Sequence, residues 1–242
     1  MDNNIQNDFL ATVSHELRTP LTSIRGFAQT MLTSWDKIDE ENKKKFLKII
    51  EDQSNRLINL VENMLSVSKL QSFSDNFVYK SISAKTYIEP VIQIVSNKYK
   101  KHHFTLNCDE KVPNIFVDAD KFQQIMTNLI ENAAKYSVEG STVYVTVGFS
   151  QRSDFVSIKV KDEGVGIKEE DFSKIFEKFS RCDNPLTRKV QGSGLGLYIT
   201  KTLVNKMGGE INLKSCEKGS TFEVLLPFEN IEQHAKKTFK EL

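Results

Sequence analysis

Two apolar seams, each built on alternating steps of three and four residues, run through the first third of the chain. The first holds Leu10, Val13, Leu17, Pro20, Ile24, Phe27 and Met31; the second holds Phe46, Ile50, Gln53, Leu57, Leu60, Met64 and Val67. Such steps put side chains on one stripe of an α-helix, in the manner of a coiled coil. Residues 34–40 (Ser-Trp-Asp-Lys-Ile-Asp-Glu) break the pattern, so residues 3–71 are expected to form an antiparallel helical hairpin. A hairpin alone leaves much of its apolar surface wet. Pairing with a second copy into a four-helix bundle removes that surface, so a homodimer is expected; a monomeric hairpin packed on the second half is the other reading. Gln53 within its seam helps set register.

His15 falls on the side of the first helix farthest from the seam. An imidazole there is not packed in a core and can meet another molecule, although a solvated surface histidine looks the same from position alone. Pro20 removes one helical hydrogen bond and crowds the carbonyl of Glu16, which makes a weak point where the helix can bend. The face holding His15, Thr19, Thr22 and Gly26 offers a docking strip.

The bulk properties are those of a globular protein of one large or two modest domains: 242 residues, 39% hydrophobic, 27% charged. A net charge of +1 gives no field to draw the chain to nucleic acid. Cys108, Cys182 and Cys216 are far apart, which argues against a disulfide framework or zinc site and for a reducing compartment. No apolar stretch approaches bilayer length, and the first residues lack a signal pattern. The expected location is cytoplasmic, either for a self-standing chain or for the cytoplasmic portion of a membrane-bound protein.

Residues 72–76 read as a polar linker. Beyond it, strands are expected at 77–81, 104–107, 115–117, 143–149, 156–160, 210–215 and 221–227. Helices are expected at 89–101, with Pro90 in the first turn, at 119–136 behind an Asp118 N-cap, at 168–176 and at 194–207. Strands interleaved with helices indicate an α+β sandwich. The domains are therefore expected at 1–71 (hairpin) and 77–228 (sandwich), with a charged tail at 229–242 that could carry a weak apolar stripe of Ile231, Ala235, Phe239 and Leu242. The basic run Lys98, Lys100, Lys101, His102, His103 reads as solvated surface.

Three constellations mark the second half. Asp162-Glu163-Gly164-Val165-Gly166-Ile167 follows an expected strand, and Gly192-Ser193-Gly194-Leu195-Gly196-Leu197 precedes an expected helix. Alternating glycines let backbone amides approach a ligand, and a helix start favours anionic oxygens. The second loop thus reads as a phosphate cradle. It is neither a dinucleotide fingerprint nor a P-loop, and either glycine loop alone could be an ordinary turn. The third constellation is one helix face carrying Asn128, Asn132 and Lys135 at i, i+4 and i+7, with Glu131 at its edge. Amide and carboxylate oxygens suit a hard divalent ion that bridges phosphates, and Lys135 adds positive charge; a solvated polar face is the alternative. Asp162 can accept a hydrogen bond from an exocyclic amino group, which would favour adenine, or it can simply begin a turn.

Taken in order, these residues resemble the catalytic core of a two-component sensor histidine kinase. Ser14-His15-Glu16-Leu17-Arg18-Thr19-Pro20-Leu21 resembles the phosphoacceptor box. The run from Asn128 to Tyr136 resembles the N box, Asp162 to Ile167 the first glycine box, and Phe176-Glu177-Lys178-Phe179 the F box. Gly192 to Leu197 resembles the second glycine box, and Gly219-Ser220-Thr221-Phe222 the later glycine-threonine element.

The resemblance implies an α+β architecture: a dimerising phosphotransfer hairpin, then an α/β-sandwich ATP-binding domain of the gyrase/histidine-kinase type. His15 would be the phosphoacceptor, Glu16 would orient its ring or take its proton, and Thr19 would position water for dephosphorylation of the partner. Asn132 would be the principal Mg²⁺ ligand, with Asn128 and Glu131 near the metal. Lys135 would contact phosphate, Tyr136 the nucleotide and Asp162 adenine. Gly164, Gly166, Ile167, Phe176, Phe179, Gly192, Ser193, Gly194, Leu195, Gly196, Leu197 and Thr221 would line the ATP site, and Arg181, in a mobile lid at 181–191, would reach the γ-phosphate. The expected cofactors are ATP and Mg²⁺. The expected partners are a second copy and the receiver domain of a response regulator, with no nucleic acid, and with the membrane reached only through a sensor region outside this sequence. A gyrase-like ATPase that leaves His15 idle, or a dimeric scaffold that binds ATP without catalysis, are the competing readings.

Overall fold

The computed structural model describes residues 2–71, 76–152, 154–180 and 192–228, with side chains from residue 12. Arg181, Cys182, the lid at 181–191 and the tail at 229–242 lie outside the described residues, as do the Leu10 side chain and most of the expected linker. The chain divides into two compact units, Met1–Gln71 and Ser72–Leu242.

The first unit is a hairpin of α1 (Asp2–Ser34) and α2 (Glu40–Gln71), joined by a 3₁₀ turn at Trp35–Lys37. Asp39 starts α2 by accepting from the Asn42 amide at 2.9 Å, an N-cap bond. The expected seams are the ones turned inward. Pro20, Met31, Leu60 and Val67 are buried, and Val13, Leu17, Ile24, Phe27, Phe46, Ile50, Gln53, Leu57 and Met64 are half-buried. Phe27 meets Phe46 with ring centroids 5.1 Å apart. A second set of apolar residues stays uncovered: Leu21 and Leu32 on α1, and Leu47, Ile58, Val61 and Leu65 on α2, with Leu32 85% exposed.

The second unit is a five-stranded mixed sheet with three helices on one face, plus a small two-stranded ribbon. Its strands are β1 (Tyr79–Ile82), β2 (His103–Cys108), β3 (Ile115–Asp118), β4 (Thr142–Phe149), β5 (Phe155–Lys161), β6 (Glu210–Cys216) and β7 (Gly219–Pro227); its helices are α3 (Ala84–Lys98), α4 (Ala119–Tyr136) and α5 (Gly196–Lys206). The large sheet runs β2-β4-β5-β7-β6, and β1 pairs with β3. Only β2 and β4 are parallel; the other pairs are antiparallel. Period-two alternation sends Val143, Val145, Val147, Val156, Ile158 and Val160 into the core, where they meet Phe122, Ile125, Met126, Leu129, Ile130 and Ala133 of α4.

Asp118 caps α4 as expected, accepting from the Lys121 amide at 3.0 Å. Its other oxygen accepts from the Val78 amide at 2.8 Å, which ties the segment entering β1 to the start of α4.

Three sequence expectations need correction. Pro90 does not open its helix: α3 begins at Ala84, and Pro90 lies inside it on the exposed side. Burial of Ala84, Ile88, Val91 and Val95, at i, i+4, i+7 and i+11, outweighs the one helical bond that proline forgoes. Residues 168–176 form no α-helix but two 3₁₀ turns, Glu169–Asp171 and Lys174–Phe176, in which only Ile175 is buried. With one buried residue there is no apolar stripe to hold a longer helix on the core. Finally, α5 starts at Gly196, two residues late, because Gly194 has φ +68°, outside the right-handed helical region.

Candidate functional site

In the hairpin, His15 is exposed on α1. Four residues on, the Thr19 hydroxyl donates to the His15 carbonyl at 3.3 Å. Pro20 has no N–H to give the Glu16 carbonyl, so the helix is loosened beside the histidine. Glu16 is half-buried and held from the opposite helix: Arg56 Nη2 donates to Glu16 Oε2 at 3.1 Å. One carboxylate oxygen is thereby fixed and the other left available. Arg56 had no signal of its own in the sequence; the pair appears only once Phe27 and Phe46 set the hairpin register.

In the second unit the site is built on the polar face of α4. Asn128 and Asn132 are half-buried and linked, with Asn132 Nδ2 donating to Asn128 Oδ1 at 3.4 Å. Asn128 Nδ2 donates to Thr200 Oγ1 of α5 at 2.7 Å, and Thr200 is 1% exposed. Thr200 is a second residue that motif reading missed. Glu131 does not join the asparagines. It accepts from Lys98 Nζ of α3 at 2.9 Å; burial would lower the Lys98 pKa, but the hydrogen bond and charge of Glu131 outweigh it and hold that pKa above its ordinary value. Among the described residues no group of three His, Cys, Asp or Glu could hold a metal; the side-chain amide oxygens of Asn128 and Asn132 are of the kind that suits a hard cation retaining waters.

Both glycine loops press on this helix. At Gly192 a Cβ would stand 2.8 Å from Lys135 Nζ and 3.9 Å from the Tyr136 hydroxyl; at Gly196 it would collide with the Asn128 amide. Gly164 packs on the Tyr136 carbonyl, and its strand-like bridge to Ser137 fixes the first loop to the end of α4. Gly166, at φ +68°, lies against the Cys216 carbonyl. The next amide, Ile167, donates to Ser215 Oγ at 2.8 Å.

Asp162 is 5% exposed. Its Oδ1 accepts from the amides of Gly164 at 2.8 Å and Ser220 at 3.0 Å. Burial pushes its carboxyl pKa up, and the two amides counter part of that rise. With Oδ1 committed, Oδ2 is the oxygen left to meet a ligand. Thr221 continues β7 beside it and is half-buried.

Phe176 meets Phe222 edge-on at 6.4 Å, and Lys201 Nζ stands 5.0 Å over the Phe176 ring. Phe179 is the one described non-glycine residue at positive φ, +60°. Its backbone abuts Gly194, where a Cβ would come within 2.6 Å of the Phe179 carbonyl carbon. Ser193 accepts from the Leu195 amide at 3.3 Å, Leu195 is fully buried, and Leu197 is half-buried on the first turn of α5.

In the basic run Lys98, Lys100, Lys101 and His103 are exposed as expected, and only His102 departs. Lys101 pairs with Glu139 at 2.7 Å, and both ring nitrogens of His102 are shut off from solvent, with the ring edge-on to Tyr99 at 6.1 Å.

Two family models match separate parts of the chain. The model of the His Kinase A (phospho-acceptor) domain matches residues 5–73. The model described as histidine kinase-, DNA gyrase B- and HSP90-like ATPase matches residues 117–230. The sensor histidine kinase WalK of Bacillus subtilis (strain 168) is 35% identical over 226 residues, covering 92% of this chain and 37% of that protein. A sensor protein kinase WalK of Staphylococcus aureus is 35% identical over 229 residues, covering 94% of this chain and 55% of that protein. The chain thus spans between about a third and about half the length of these curated relatives. Among solved structures, the Acinetobacter baumannii histidine kinase AdeS aligns with TM-score 0.69 at 25% identity, over 89% of this chain and 98% of that one. The histidine kinase ThkA, solved in complex with response regulator protein TrrA, aligns with TM-score 0.72 at 24% identity, over 93% of this chain and 63% of that one.

Proposed function

The chain belongs to the two-component sensor histidine kinases, carrying their catalytic core, and we propose that it moves the γ-phosphoryl group of ATP to His15 and then to an aspartate of a response-regulator receiver domain. The observation that carries this reading is the exposed His15 imidazole, turned from the packed seam beside a carboxylate fixed by Arg56.

In the first step a neutral ring nitrogen attacks the γ-phosphorus in line. The N–P bond forms as the bond to the β,γ-bridging oxygen breaks, and ADP leaves. The ring must shed its remaining proton charge, and the available oxygen of Glu16 can hold or accept that proton. In the second step the N–P bond breaks as an aspartate oxygen of the regulator bonds to phosphorus. Lys135 and the amides of the second glycine loop hold the phosphates, Tyr136 lies against the nucleotide, and Asp162 Oδ2 accepts from the adenine amino group. Arg181 is assigned to the γ-phosphate. Mg²⁺, when bound, would neutralise charge on the phosphate oxygens; Asn132 would supply an oxygen donor that fits it, with Asn128 beside it, and Glu131 is drawn off by Lys98.

The Glu16-x-x-Thr19 pair supports phosphatase activity toward the regulator, with the Thr19 hydroxyl positioning water. The uncovered apolar residues of the hairpin support a homodimer, since Ile58, Val61 and Leu65 repeat at steps of three and four. Among the described residues no helix is long and apolar enough to cross a membrane, and a cytoplasmic core serving a sensor region is the location this reading requires.

Incubation with γ-labelled ATP and Mg²⁺ tests it. Wild type should acquire an acid-labile, base-stable label that chases onto a receiver domain, and His15→Ala should acquire none. Label retained by His15→Ala, or ATP hydrolysed with no label on wild type, would overturn the assignment; the second result is what a gyrase-like ATPase gives.

A further inference from the structure

We infer that Thr200 is a positioning residue for the nucleotide-bound cation: its buried hydroxyl anchors the first of two linked side-chain amides on the helix that faces the phosphates. The inference rests on the assignment of Asn128 and Asn132 to the Mg²⁺·ATP site. Thr200 belongs to α5, the helix that follows the second glycine loop, and it is shut off from solvent at 1% exposure. Its Oγ1 takes Asn128 Nδ2 at 2.7 Å, and Asn128 Oδ1 takes Asn132 Nδ2 at 3.4 Å.

A primary amide has a donor end and an acceptor end, so fixing one fixes the other. With its nitrogen held on Thr200, Asn128 turns its oxygen toward Asn132. That oxygen draws the donor end of Asn132, whose own oxygen is then the end left for a hard cation. The relay is anchored at Thr200, because the bond to that buried residue is the short one of the two. Gly196 closes the remaining side. A Cβ there would strike Oδ1, Cγ and Nδ2 of Asn128, so the amide is confined between the start of α5 and the threonine. Asn128 thereby becomes a link in the relay, and Asn132 the residue that presents the ligating oxygen.

Hydrogen-bond partners that orient a metal ligand change metal affinity by about 10- to 100-fold when removed. The test is calorimetric titration of the full chain with a non-hydrolysable ATP analogue across a range of Mg²⁺ concentrations, beside a thermal melt of each metal-free protein. Thr200→Val keeps the volume and removes the acceptor. It should raise the half-saturating Mg²⁺ about 10-fold while leaving metal-free analogue binding unchanged. Thr200→Ser restores the oxygen and should follow wild type. Should the valine variant not fold, Thr200→Cys, with a poorer acceptor, replaces it, and its Mg²⁺ requirement should fall between serine and valine expectations. A valine or cysteine variant with the Mg²⁺ dependence of wild type would overturn the inference. So would a serine variant displaced as far as valine, since the effect would then follow volume. A wild type whose analogue binding ignores Mg²⁺ would overturn the parent assignment of the asparagines, and this inference with it.

Discussion

Asp162→Asn separates the two tasks given to this carboxylate. Oδ1 accepts the amides of Gly164 and Ser220 at 2.8 and 3.0 Å, and the asparagine oxygen can keep both. What changes is the other end, where an NH₂ donor replaces the Oδ2 acceptor. An adenine amino group arriving there would meet a donor. A hydrogen bond to a charged partner contributes about 1.5–3 kcal/mol, so ATP affinity should fall by about 10- to 150-fold. Inosine triphosphate, with a carbonyl in place of that amino group, should lose less or gain, and the ATP/ITP preference should narrow or invert. Stability should move the other way. Burial raises the Asp162 pKa in the folded state, so the folded form holds the proton more tightly than the unfolded chain does. The stability contributed by the protonated group is full below the unfolded pKa near 3.8 and is lost as pH rises through the higher folded value. The neutral amide escapes that loss, so at pH 7 Asp162→Asn should melt no lower than wild type. Nucleotide titration at fixed Mg²⁺ and chemical denaturation at pH 7 give both numbers. Equal losses for ATP and ITP, or a collapse in stability, would refute adenine recognition by Oδ2 and leave Asp162 as a turn residue alone.

Other consequences follow from neighbouring contacts. Arg56→Met strips Glu16 of its partner and should slow His15 labelling about 10-fold, a tenth or less of the range for general acid–base groups, without changing nucleotide affinity; Arg56→Lys should recover part of the rate. Pro20→Ala restores a helical hydrogen bond beside the phosphoacceptor and should alter the ratio of labelling to regulator dephosphorylation, with unchanged activities counting against a bend at this site. Gly194→Ala, at φ +68° and against the Phe179 backbone, should cost at least about 1–2 kcal/mol in urea unfolding of the second unit and weaken ATP binding with it. Asp118→Ala removes the α4 cap and the bond to the Val78 amide, for a loss of about 2 kcal/mol or more, readable as faster hydrogen exchange at the Val78 and Lys121 amides.

The parts of this fold legible in the sequence are those set by local periodicity. The steps of three and four that bury Met31, Leu60 and Val67, the alternation of Val143, Val145 and Val147, and the Asp118 cap each depend on residues within one element. Expectation failed where a local preference met a tertiary one. Pro90 should break a helix, yet it sits on the exposed side of α3 because the opposite side is buried. The acidic run Glu169–Asp171 puts negative charge in a first turn but has no side-chain cap and no apolar stripe behind it, so it stops at one 3₁₀ turn. The pairings that refine the site were out of reach for another reason. Glu16 with Arg56, Glu131 with Lys98 and Asn128 with Thr200 join residues 40, 33 and 72 positions apart. No periodicity encodes such distances; they follow from which helices pack together.

The two glycine loops and the polar helix are best understood as one object. Their spacings look unrelated in sequence, i, i+2, i+4 in a loop against i, i+4, i+7 on a helix. In space three of these loop glycines lack room for a Cβ because of α4: Gly164 against the Tyr136 carbonyl, Gly192 against Lys135, Gly196 against the Asn128 amide; Gly166 meets β6 and Gly194 the Phe179 backbone. The missing side chains therefore do more than free the backbone to meet phosphate. They let two loops close on a helix whose polar residues would otherwise stand in water, where an amide or ammonium has little preference for one orientation. Half-buried and crowded, the same groups are held in a fixed geometry before a ligand arrives, which is the condition under which dipoles stabilise developing charge most strongly. A chain with these glycines replaced by alanine in pairs should accordingly lose ordered Asn128 and Lys135 side chains before it loses its sheet, because the sheet core of Val145, Ile158 and Val224 lies on other residues.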